Sequence, residues 1–118
     1  MKNLIFFTLL GLLAFTAIMF YNTYRHEQAH VRIFEEYDIK SHIVMYSPFD
    51  GVTIPDSNYS HLTRAEIRSM NALHALNEVF GYQIDSIIVG IFVFYFLLLL
   101  CIDFYIGGVL SGRIAEKA

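Results

Sequence analysis

Two long uncharged apolar runs, one near each end of the chain, leave few folds open to it. The first, Leu4 to Tyr24 (LIFFTLLGLLAFTAIMFYNTY), spans 21 residues without a charge. At about 1.5 Å rise per residue, a helix of that length crosses the roughly 30 Å hydrocarbon layer of a bilayer. The second, Ser86 to Ile102, continues past Asp103 through Phe104–Leu110. A soluble core would have to enclose both runs. A chain of 118 residues, 56% hydrophobic and only 16% charged, lacks the polar material to do so. Tyr21, Tyr24, Tyr82 and Tyr105 sit near the run ends, where aromatic rings favour the membrane interface. The other reading of the first run is a cleaved leader, because Met1-Lys2-Asn3 resembles a short basic n-region. The run is longer than a usual leader core and no A-x-A site follows, so a retained helix is expected.

The expected fold is therefore a mainly α membrane protein with two transmembrane helices that extend beyond the bilayer. A first transmembrane helix over 1–24 is followed by an extramembrane segment over 25–83 containing a short β-hairpin. A second transmembrane helix over 84–110 and a polar tail over 111–118 complete the chain. A net charge of -3 with no Lys/Arg cluster excludes a nucleic-acid module. A single cysteine, Cys101, excludes an internal disulfide and a Cys-based zinc site. The flanking Lys and Arg are nearly balanced between the two sides. The anchor-like start and the acidic excess of 25–83 place that segment on the extracytoplasmic side as an expectation.

Within the segment, no Gly or Pro interrupts the chain from Tyr21 onward, so the first helix is expected to run on to about Tyr37. His42–Tyr46 reads as a strand, Pro48-Phe49-Asp50-Gly51 as a turn, and Val52–Ile54 as the returning strand. Thr63 followed by Glu66 fits a capping box, which starts a helix at about Arg64. That helix either joins the second apolar run directly or bends at Gly81.

All five histidines fall in the polar segment, and residues 26–30 read His26-Glu27-Gln28-Ala29-His30. On a helix, residues four apart lie one above the other, so both imidazoles address one point. Two ring nitrogens there can hold a zinc ion, and the glutamate can take a proton from a water that the metal acidifies. A catalytic zinc needs a third protein ligand. At about 100° per residue, Asn71, His74, Glu78, Tyr82 and Asp85 fall within an arc of roughly 80°. A helix entering a bilayer has no packing reason for such a polar stripe, and ionisable groups near membrane depth mark function. Glu78 is the best-placed carboxylate. The competing reading of the stripe is a wet, non-catalytic seam between helices.

His26-Glu27-x-x-His30, followed on a later helix by Asn77-Glu78, resembles the gluzincin class of zinc metallopeptidases. Placement directly after an apolar run is similar to the integral-membrane zinc peptidases. The resemblance implies Zn2+ held by His26, His30 and Glu78, with Glu27 as general base. It departs from the class in the longer gap between His30 and Glu78. It also departs in Tyr82, which stands where an acid often follows the ligand glutamate. Asp85 is then the candidate to orient a ligand histidine, beside Asn77. Tyr82 or His74 is the candidate donor to a tetrahedral oxyanion. The edge of His42–Tyr46 is the expected seat for an extended peptide, its other reading being a cap over the two helices. His42 and His61 are expected to be ordinary surface histidines.

The expected partners are the lipid bilayer and a peptide or membrane-protein substrate, with a second copy or a larger membrane complex as further candidates. Gly108 and Gly112, with Gly107, Ser111 and Gly90, offer small faces for helix packing. Asp103 is expected near the far interface, and Cys101 is expected to fill apolar space. The alternative to an enzyme is a small non-enzymatic subunit of a membrane assembly.

Overall fold

The structure is a computed structural model and describes residues 2–117. Two long helices enclose a hairpin in the order α1 (Lys2–Glu36), β1 (Ser41–Ser47), β2 (Asp50–Pro55) and α2 (Arg64–Lys117). Both helices are long and apolar enough to cross a bilayer, and none of the most apolar stretch of α2 is buried. This is not how the core helix of a soluble protein looks. The chain divides into two compact units, Thr16–Ile87 and a second made of the residues up to Phe15 and from Ile88 onward.

In the unit Thr16–Ile87, α1 stops one residue short of the expected end. Asp38 takes a left-handed backbone (φ 56°). The amide of Ile39 then donates back to the Phe34 carbonyl at 3.0 Å, which satisfies an end group of the helix. Ile39 is thereby turned inward and packs with Phe34 and Met70 as a small core, against Ile33, Tyr37, Tyr59 and Leu62. The hairpin is antiparallel, pairing Ile43 with Thr53 and Val44 with Val52, with a register irregularity between Met45 and Ser47. Thr23 Oγ1 donates to the Pro48 carbonyl at 3.1 Å and so ties the hairpin tip to α1. His42 and His61 are exposed, yet both hold loops. His42 Nδ1 meets Asp56 Oδ1 at 2.6 Å, and His61 Nε2 donates to the Tyr37 carbonyl at 2.9 Å.

The expected capping box starts α2. Glu66 N–H donates to Thr63 Oγ1 at 3.2 Å, and Thr63 N–H donates to Glu66 Oε2 at 2.7 Å. Of the two readings at Gly81, direct continuation is observed, since α2 is uninterrupted for 54 residues. The segment 111–118 was expected as a tail, but helix continues to Lys117, with Ala118 outside the described residues. No proline follows the apolar run, and the glycines there, Gly112 included, weaken a helix without ending it.

In the other unit, close packing uses a glycine that sequence reading passed over. A methyl group on Gly11 would overlap the Tyr95 ring, whose hydroxyl donates to the Phe7 carbonyl at 2.9 Å. Open space lies beside Gly90, Gly107, Gly108 and Gly112.

Candidate metal centre

The site lies within the unit Thr16–Ile87. Helical spacing on α1 stacks His26 over His30, with ring centroids 4.8 Å apart. Their Nε2 atoms are 3.2 Å apart. Glu78, reaching from α2, places Oε1 2.9 Å from His30 Nε2 and 3.4 Å from His26 Nε2. Ligands about 2.0–2.1 Å from a tetrahedral zinc are separated by roughly 3.3–3.4 Å. Three atoms from two helices thus stand close to the edges of one such face. His26, Glu27 and His30 also bring one potential ligand atom each within 4.8 Å of one another, but Glu78 lies closer to the rings than Glu27 does.

Glu27 is held back from that face. It is 6% exposed, and its Oε1 is 4.0 Å from His26 Nε2. Thr53 Oγ1 on β2 lies 2.7 Å from Glu27 Oε2 and 3.0 Å from the Glu27 carbonyl oxygen. A methyl group on Gly51, one same-face step along β2, would come within 3.3 Å of Glu27 Cγ. The hairpin therefore forms a wall that orients the carboxylate.

The polar stripe of α2 faces this centre only in part. His74 Nδ1 is 2.6 Å from His30 Nδ1, on the ring edge away from Glu78. The ring of His74 lies 4.5 Å from that of Phe34. Burial, and then the neighbouring His30, holds the protonation of His74 below the usual histidine range, with Glu78 opposing. Its Nε2 is buried without a hydrogen-bond partner. Asn77 Nδ2 donates to the His26 carbonyl at 3.2 Å. Asp85, the expected orienting partner for a ligand ring, instead accepts from Asn22 Nδ2 at 2.6 Å. It lies two turns of helix beyond Glu78, level with Asn22 rather than with either histidine. Asn71 is exposed.

Two cavities of about 220 Å³ each flank the centre, and Glu27, Gly51 and Glu78 line both. One is closed by Asn22, Thr23, Phe49, Asp50, Tyr82 and Asp85. The other is closed by His30, Phe34, Val52, Thr53 and His74. The strand beside them is β2, not the His42–Tyr46 segment of β1 chosen from sequence. Thr53 of β2 meets Glu27, and the tie from Thr23 to the Pro48 carbonyl holds the turn of the hairpin against α1.

Sequence reasoning missed Thr53, Gly51 and the seat of His26. A methyl group on Gly81 would lie 2.5 Å from His26 Nδ1, so only glycine lets the ring rest on α2. Strand alternation puts Gly51 and Thr53 on one face, which was the available signal for the first two. Comparison with known proteins gives no match to a family model, to a curated protein or to a solved structure.

Proposed function

We propose that this chain is a small membrane zinc metallopeptidase that cleaves peptide bonds at the bilayer surface. The observation that carries the reading is the convergence of His26 Nε2, His30 Nε2 and Glu78 Oε1 from helices far apart in sequence, at separations of 2.9–3.4 Å. A single Nε2–H can satisfy the Glu78 oxygen, but two such groups would set their protons against each other across 3.2 Å, and a shared cation engages all three atoms at once.

A zinc ion held there would supply Lewis acidity and lower the pKa of a water towards 7. Glu27, held by Thr53, is the base that would take a proton from water and pass it to a leaving amine. Of the two candidate donors to the oxyanion, His74 has a buried ring nitrogen in want of a partner. Tyr82 is 69% exposed and borders the other cavity. Residues of β2 line both cavities, and the unpaired edge of that strand offers an extended peptide main-chain hydrogen bonds.

His26 follows the apolar run by two residues and Asp85 precedes the next. With α1 and α2 spanning the bilayer, the centre stands at the headgroup level. Membrane proteins or membrane-bound peptides are then the substrates, and the segment 25–83 faces the extracytoplasmic side. The alternative, a packing subunit without chemistry, is favoured by the open glycine faces of α2.

Zinc stoichiometry of the purified chain separates the two. We expect one zinc per chain in the wild type and in Glu27→Gln. Cleavage should be lost in Glu27→Gln by 10²-fold or more, and zinc should be lost in His30→Ala and Glu78→Ala. Full zinc retention by His30→Ala would overturn the proposal and leave the packing role.

A further inference from the structure

We infer that cation binding at His30 switches the tautomer of His74, converting its buried Nε2 from a bare acceptor into an N–H donor. The inference rests on the metallopeptidase reading and concerns the ring that backs its His30 ligand. A neutral imidazole carries one proton on two nitrogens, so each contact along a row of rings fixes the next. Without a cation, His30 Nε2–H donates to Glu78 Oε1 across 2.9 Å. His30 Nδ1 is then a lone pair, so the 2.6 Å contact requires His74 to donate from Nδ1. That leaves His74 Nε2 without a proton.

With His30 Nε2 committed to a cation the pattern reverses. The single proton of His30 must sit on Nδ1, which donates to His74 Nδ1. The proton of His74 must then sit on Nε2. Each ring loses a proton at one nitrogen and gains one at the other through solvent, so net protonation is unchanged. The result is a buried N–H for which no group among the described residues is an acceptor. The same ring lines the cavity with Glu27, Val52 and Thr53. His74 also acts as a positioning residue, because holding His30 Nδ1–H orients the ring and raises the basicity of Nε2.

The test is long-range ¹H–¹⁵N correlation of the histidine rings in the full chain in micelles, before and after one equivalent of Zn2+. We expect His30 and His74 to exchange tautomers together on loading, ending as Nδ1–H and Nε2–H respectively. A His74 tautomer that stays fixed while His30 Nε2 shows coordination would overturn this inference alone. Absence of coordination at both His26 and His30 would overturn the metal reading beneath it. Zinc titration of variants gives a second readout. His74→Phe should weaken binding about 10- to 100-fold, and His74→Gln, whose amide oxygen can accept from Nδ1–H, should recover most of it. Equal affinities in wild type and both variants would rule out the positioning role.

Discussion

At the scale of single residues, the centre depends on side chains too small to hold a metal themselves. Gly81 is the sharpest case. A Cβ there would stand 2.5 Å from His26 Nδ1 and 2.6 Å from Cε1, closer than van der Waals contact allows. Because the obstacle is a ring tip rather than backbone, the ring can swing aside. Gly81→Ala should therefore weaken zinc binding at least tenfold while changing the melting temperature of the zinc-free chain little, as checked by zinc titration beside thermal unfolding in detergent with a chelator. Thr53 makes a different prediction. Thr53→Val keeps the shape and strips the donor from the buried Glu27 carboxylate. We expect a loss of about 1–3 kcal/mol in stability and a drop in turnover with zinc retained, both largely restored in Thr53→Ser. The two histidines and Glu78 were readable beforehand because all three lie on helices, where a fixed 100° step converts spacing into direction. Thr53 and the link from His30 to His74 were not, since they depend on how a strand and two helices meet. Asp85 shows the limit of the helical wheel. It shares the stripe's azimuth, but its height along the axis brings it to Asn22 instead of a ring.

At the scale of elements, the ends of each helix decide what the segment between can do. The capping box of α2 was plain from Thr63 and Glu66, because it is a local exchange of hydrogen bonds. Hydrogen bonds from the Thr63 backbone, then from its hydroxyl, hold the Glu66 carboxyl below its ordinary value of 4.5. A depressed carboxyl stabilises the helix start fully above 4.5, and that contribution is lost as pH falls through the lower, folded-state value. Amide exchange in the first turn of α2 should accelerate over that acid window, and Glu66→Gln should flatten the dependence. Thr63→Ala should cost about 1 kcal/mol of local stability at neutral pH. The hairpin strands were equally legible from their turn residues. Which strand would face the centre was not, because pairing leaves both outer edges open and only the docking of Pro48 onto Thr23 decides it. The persistence of α2 to Lys117 shows that a polar segment can continue a helix where no cap or proline ends it.

At the scale of the whole molecule, both helices are long and apolar enough to cross a bilayer. Cys101, the one cysteine of the chain, is exposed in the structure within the second apolar run. With α2 spanning a bilayer, lipid covers that thiol. A charged maleimide should leave it unlabelled in intact vesicles and label it stoichiometrically after denaturation in detergent. Rapid labelling in vesicles would place this part of α2 in water.

The balance of what is buried carries a consequence for the life of the protein in the cell. Among the described residues, the buried apolar side chains are only Met19, Phe34, Ile39 and Met70, and Glu27 and His30 are buried beside them. So slight an oily interior leaves the unit Thr16–Ile87 poorly secured, and an ion bound as proposed would supply much of its folding energy. Proteases would then meet a zinc-free chain as a loose one. On that proposal, starving cells of zinc should shorten the half-life of the protein, and metal supply would set how much of it exists.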